Sequence, residues 1–225
     1  CSGLGADVHA APILSETMRN LYDGVPVDEV YKAAILAART LIEKDPDYTH
    51  AAARLLLHTI AKEVLGADVI QGGLAARYVE YFPQFIKKGV DNELLDERLL
   101  QFDLPRLGAA LKADRDLKFD YLGLQTLYDR YFLHVRKTRI ELPQAFFMRV
   151  AMGLSLNEID REARAIEFYE VLSSFDFMSS TPTLFNSGTL RSQLSSCYLT
   201  TVPDNLDGIY ESIKENALLS KFAGG

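Results

Sequence analysis

Apolar positions recur at helical spacing along most of the chain. In "LYDGVPVDEVYKAAILAARTLIEKDPDY", Val27, Val30, Tyr31, Ala34, Ala38 and Leu41 line one helix face. Asp23-Gly24 and Pro26 punctuate its start. Asp28 and Glu29 lie near the positive N-terminal end and Lys44 near the negative C-terminal end. Asp45-Pro46 stops the helix, because proline disfavours α geometry in the residue before it. "THAAARLLLHTIAKEVLG" predicts a second helix, with Thr49 as N-cap and Gly66 just past its end. The short connection predicts an antiparallel hairpin. A shorter helix is expected over 13–21.

The aromatic-rich "YVEYFPQFIKKG" predicts a helix broken or begun at Pro83, and helical patterns continue through 92–101, 104–112 and 121–132. "TRIEL" alternates, as one short extended turn before Pro143. Pro143 suits the first turn of a helix, where its missing N–H would be unpaired anyway. "QAFFMRVAMGLSL" is then a mostly apolar, buried helix. Ser155 and Glu158 fit a capping box for the next one, whose apolar face is Ile159, Ala163, Ile166, Tyr169 and Leu172. After residue 176 the chain turns rich in Ser, Thr, Pro and Gly, with short β-like runs at 193–202 and a last helix, 206–221, introduced by Asp204. The boundary near 176–190 separates an α-helical layer from the opening of a β-containing domain.

Composition narrows the function classes. The chain has 225 residues, enough for one large domain or two small ones. Its net charge of -7 argues against a general nucleic-acid binder, which needs basic surface against phosphates. No signal-peptide pattern is present, and the longest apolar runs are short and broken by charge, so no membrane span is expected. The two cysteines, Cys1 and Cys197, are too few for a secreted disulfide framework and point to a reducing cytoplasm. The start without methionine and the stop after "SKFAGG" read as an internal piece of a longer polypeptide.

Candidate chemistry is sparse. No Walker loop, Rossmann glycine fingerprint or paired His/Cys metal spacing occurs. His50 and His58 share a helix face but stand eight apart, too far to chelate one ion, and read as ordinary surface or core residues. The aromatics of 78–86 and 119–132 read as core packing. "TPTLFNSG", 181–188, has two readings of equal weight. It is a capped turn between helix and strand, or a polar cradle for a sugar or phosphate. Cys197 follows Ser195 and Ser196. A lone cysteine usually acts as a small hydrophobe, but a polar setting lets a thiol be exposed and exchange. One thiol cannot deliver two electrons and end as an intramolecular disulfide, so a reductant here needs a partner outside these residues.

"STPTLFNSGTLRSQLSSCYL", the acidic turn "DNLDGIYESIKENALL" and the ending "SKFAGG" resemble the large (α) subunit of class I ribonucleotide reductase. Upstream, "LYDGVPVDEVYKAAILAARTLIEKDPDYTHAAARLLL" resembles the last helices of that subunit's ATP-cone region. "FDYLGLQTLYDRYFL" and "ELPQAFFMRVAMGLS" resemble its all-α domain. The resemblance implies a mainly α N-terminal part leading into the start of a ten-stranded α/β barrel. Residues 1–20 would be a lead-in, 21–66 a partial ATP-cone-like region, 67–176 the all-α domain and 177–225 the opening of the barrel.

It further implies reduction of ribonucleoside diphosphates, with a radical supplied by a diiron–tyrosyl β subunit and no cofactor bound by this stretch itself. Cys197 would be one of two redox thiols, restored by thioredoxin or glutaredoxin. Thr183, Ser196 and Gly225 would contact substrate. Asp204, Asn205 and Leu206 would hold a dNTP or ATP effector in an α–α homodimer. The basic hairpin that closes the ATP cone is absent, Val27 stands where some relatives place a threonine, and Lys62 matches a basic ATP contact. A non-catalytic helical nucleotide-sensing or subunit-docking module is an alternative, as is an adenosylcobalamin-dependent reductase. "TPTLFNSG" followed by "QLSSCYL" favours the class I enzyme.

Overall fold

Two helices rich in small residues start the packed part of the chain. The computed structural model describes residues 1–66, 73–222 and 224. Helix α1 (Ala10–Arg19) leads into α2 (Val27–Thr40) and α3 (Tyr48–Leu65). Ala37 and Ala38 of α2 meet Ala51 and Ala52 of α3, and Val8, Ile13 and Leu41 complete a small core there. Side chains this short let helix axes approach closely. Gly66 ends α3 with φ of 67°, the left-handed geometry that suits glycine, and its N–H returns to the carbonyl of Lys62.

The main core begins at α4 (Leu74–Asp91), where Tyr78, Phe82, Phe85 and Ile86 are buried. Pro83 lies inside this helix, not at its start or at a break. A mid-helix proline takes the helical partner from the carbonyl four residues earlier. That carbonyl, of Val79, faces Gly108 of α5 (Leu104–Ala109), where a Cβ would stand 3.3 Å from it. Helix α6 (Tyr121–Thr126) runs on as a π turn to Tyr131, and strands β1 (His134–Val135) and β2 (Thr138–Arg139) form a small antiparallel hairpin. Its two turn residues, Arg136 and Lys137, both have positive φ, as tight hairpins demand.

Helix α7 (Pro143–Leu154) is the centre: every residue from Pro143 to Met152 is buried. Burial of each phenylalanine, Phe146 and Phe147 included, is worth about 2 kcal/mol. Helix α8 (Arg161–Ser173) packs on α7 through Ala165, Tyr169 and Leu172. The chain ends its described course with α9 (Thr181–Asn186) and α10 (Leu206–Lys221).

Several expectations change. Thr49 is not an N-cap; helix α3 starts one residue earlier, and the Thr49 hydroxyl accepts from the Tyr121 N–H. Ser155 and Glu158 form no capping box. Ser155 closes α7 by donating to the Ala151 carbonyl, and Asp160 caps α8 at the Ala163 N–H. Ile159, outside the helix, is fully exposed. "TPTLFN" is the short helix α9 rather than a capped turn between helix and strand. Residues 193–202 carry no regular secondary structure and pair with no strand among the described residues, so the start of a barrel is not seen. A strand needs an edge to bond to, and no described segment offers one there.

Candidate active site

The six residues of α9 are too few to hold a helix by themselves. Side chains from elsewhere hold them. Arg149 of α7 is wholly buried, and its Nη1 donates to the carbonyls of Leu184 at 3.0 Å, Phe185 at 3.3 Å and Ser187 at 2.8 Å. These are the orphan acceptors at the C-terminal end of α9, where a cation is favoured. The remaining edge of the guanidinium meets Glu141, also wholly buried, through Nε at 2.9 Å and Nη2 at 3.3 Å. Glu141 in turn accepts from the Leu133 N–H at 2.8 Å. Ser187 donates to the Val150 carbonyl, and Tyr131 stacks on Phe185 with ring centres 4.3 Å apart.

Helix α9 then fixes the segment that carries the thiol. The Thr183 hydroxyl donates to the Leu194 carbonyl at 3.2 Å, and the Asn186 amide donates to the Gln193 carbonyl at 2.7 Å. Gln193 and Leu194 are thereby tied to α9, with no strand ladder there among the described residues. Ser212 of α10 donates to the Thr201 carbonyl and ties down the far end. Between α9, this segment and the end of α10 opens a cleft of about 960 Å³. Thr181, Asn186, Arg191, Ser195, Ser196 and Lys221 are among its lining residues. Hydroxyls, an amide and two cations around a cavity of this size can bind a polar anionic ligand.

The expected site residues divide into groups. Ser196 lines the cleft, and Cys197 is exposed beside it, with its Sγ 3.8 Å from the Ser196 Oγ. Thr183 is turned to the Leu194 carbonyl and does not line the cleft. Asp204, Asn205 and Leu206 are exposed at the start of α10, where the Asn205 side chain caps the helix at the Gly208 N–H, 2.8 Å away. Lys62 lies 3.4 Å from Asp28 and 5.0 Å from the centre of the Tyr31 ring. Gly225 falls outside the described residues. Among the described residues, no group of three His, Cys, Asp or Glu could hold a metal, and no helix is long and apolar enough to cross a membrane.

The Glu141–Arg149 pair escaped the sequence reading. Its signal was present: one arginine inside an otherwise apolar helix, and one glutamate just before that helix. Such charges are almost never buried unless paired. A second buried polar group, around Asp116, was hidden in the charged-looking "KADRDLK". Asp116 accepts from Tyr78 at 2.6 Å and from Gln144 at 2.7 Å, and Tyr169 donates to Gln144 at 2.6 Å. Burial pushes the Asp116 carboxyl up to about 7.

Residues 117–192 match the family described as "Ribonucleotide reductase, all-alpha domain". The whole chain is 48% identical to the ribonucleoside-diphosphate reductase subunit alpha of Chlamydia trachomatis, covering 22% of that protein. It is 42% identical over 205 residues to the Helicobacter pylori subunit alpha, 25% of that protein, with 90% of this chain covered. It is 37% identical to the large subunit of Danio rerio across its full length, 28% of that protein. The chain belongs to the ribonucleotide reductase family and spans between a fifth and a third of the length of these curated relatives.

Proposed function

We propose that this chain is the part of a class I ribonucleoside-diphosphate reductase α subunit that supports the substrate cleft and carries one of its two redox thiols. The observation that carries the reading is the cleft in which Ser196 stands beside the exposed Cys197, with Arg191 and Lys221 on its rim. A ribonucleoside diphosphate fits that lining: its phosphates meet the two cations and backbone N–H groups, and its sugar meets hydroxyls.

In the proposed reaction a β subunit carrying a diiron–tyrosyl site would supply a radical to a cysteine elsewhere in the α subunit, which takes a hydrogen atom from the ribose and returns one when the product has formed. Cys197 and a second cysteine outside these residues then give up two electrons and two protons. The 2′-hydroxyl leaves as water, a deoxyribonucleoside diphosphate forms, and the two thiols end as a disulfide. Thioredoxin or glutaredoxin restores them. Thr183 acts by holding the Leu194 carbonyl, a supporting role that its geometry favours over direct substrate contact. Asp204, Asn205 and Leu206 stand at the head of α10, exposed, as an effector loop for a dNTP at an α–α interface would be.

The test is Cys197→Ser in the full-length reductase. Multiple turnover with thioredoxin is lost while dNTP effector binding is retained. Normal steady-state output of deoxynucleotide by that variant would overturn the reading.

A further inference from the structure

We propose that Arg149 is the positioning residue of the cleft: it sets the register of α9 and, through α9, the backbone that presents Ser196 and Cys197. The proposal rests on the substrate reading above for its functional part and on geometry alone for its mechanical part.

A chain of contacts runs from the core to the thiol. Glu141 fixes Arg149 from one side through two hydrogen bonds, and three carbonyls of 184–187 receive the Nη1 of Arg149 on the other. Both partners of the ion pair are wholly buried, so neither can relax toward water. Arginine suits this position because its planar fork bonds the carboxylate and the helix end at once. Lysine has a single nitrogen and cannot reproduce the spread of Nε, Nη1 and Nη2 across the carboxylate and the helix end. Two side chains then carry the position of α9 outward, Thr183 to the Leu194 carbonyl and Asn186 to the Gln193 carbonyl. The next residues along the chain are Ser195, Ser196 and Cys197. Arg149 does not line the cleft, so its influence on the reaction passes through α9.

The same chain explains the two glycines at the crossing. A Cβ on Gly153 would stand 2.1 Å from the Gly188 nitrogen, and a Cβ on Gly188 would stand 2.9 Å from the Arg149 carbonyl. The backbone leaving α9 therefore lies directly on α7, and a shift at Arg149 is transmitted without slack.

The experiment uses the full-length reductase with its partner subunit and compares Arg149→Lys with Glu141→Gln. Three readouts are taken: amide exchange at Leu184 and Ser187, the alkylation rate of the Cys197 peptide by mass spectrometry, and KM against kcat for the ribonucleoside diphosphate. Expected for Arg149→Lys are faster exchange at both amides, about tenfold faster alkylation, and KM raised about tenfold with a smaller change in kcat, as misplacement of a binding group demands. The dNTP dissociation constant stays unchanged. Glu141→Gln keeps the arginine and gives the same changes at reduced size, so it serves if the lysine variant does not fold. Unchanged exchange and alkylation in either folded variant would overturn the positioning role. Raised exchange and alkylation with an unchanged KM would instead overturn the substrate role of the segment.

Discussion

The side-chain amide of Asn186 donates to the backbone carbonyl of Gln193 at 2.7 Å. One helix-terminal residue thereby holds a segment that pairs with no strand among the described residues. Removing it in Asn186→Ala costs about 1 kcal/mol, the net worth of one such hydrogen bond. The loss is local, so the Cys197 thiol, four residues past the freed carbonyl, is alkylated about fivefold faster. Asn186→Asp replaces the donor with a charged acceptor facing that carbonyl and has the larger effect. Alkylation rates and thermal unfolding of the full-length variants check both outcomes.

Gly153→Ala tests the contact between α7 and the backbone leaving α9. The added methyl meets the Ser187 Oγ at 2.3 Å and the Gly188 nitrogen at 2.1 Å; the Ser187 hydroxyl is held by the Val150 carbonyl, and the Gly188 carbonyl accepts from the Asp96 N–H. Overpacking of this kind costs about 3 kcal/mol. A fall in Tm of several degrees, together with faster alkylation of Cys197, is expected in a thermal melt of the full-length variant.

Asp116 sets a pH dependence with an unusual sign. Burial raises its folded-state pKa to about 7 from the ordinary aspartate value of 3.8. Between those values the folded chain keeps a proton that the unfolded chain has lost. Stability is therefore higher below the unfolded value, falls as pH rises toward about 7, and levels off above it. The total is on the order of a few kcal/mol. Tyr78 and Gln144, which donate to its two oxygens, offset part of that cost. Asp116→Asn flattens the difference in Tm between pH 5 and pH 8 relative to the parent, and calorimetry at the two pH values measures it. An unchanged slope would mean that Asp116 stays ionised throughout.

At the other end of the site, Asn205 caps α10 by accepting from the Gly208 N–H at 2.8 Å. Asn205→Ala loses about 1 kcal/mol of helix stability, and Asn205→Asp restores most of it. Under the proposed reading, Asp204→Ala loses effector-tuned substrate choice while Cys197 chemistry continues. Calorimetric titration with dTTP checks this: weakened binding is expected, and unchanged binding would count against an effector role.

The helices that were legible in the sequence are those whose own residues decide them. The body of α2, the glycine after α3, the apolar run of α7 and the span 206–221 of α10 each follow from local pattern, although the buried face of α2 is Ile35, Ala37 and Ala38, with Val27 of the expected stripe exposed. What was illegible depends on partners far along the chain. Pro83 is carried inside α4 because Phe82, Phe85 and Ile86 are locked in the core. Six residues with proline and two threonines read as a turn, but Arg149 bonding to their carbonyls makes them helix α9. The β-like run at 193–202 has the right composition for a strand and no edge to pair with among the described residues. Of the site, Ser196 and Cys197 were legible as motif, whereas the clamp beneath them, Glu141 and Arg149, needed three dimensions.

In the proposed reaction Cys197 is consumed as half of a disulfide. The direct test is a single turnover by the pre-reduced full-length enzyme, with its β subunit, an effector and a ribonucleoside diphosphate, and without external reductant. After quenching with an alkylating agent, peptides are read by mass spectrometry. The expected result is a Cys197 peptide that becomes resistant to alkylation in step with deoxynucleotide formed, joined to a cysteine peptide from outside these residues. A Cys197 that remains fully alkylated after product has formed would contradict it.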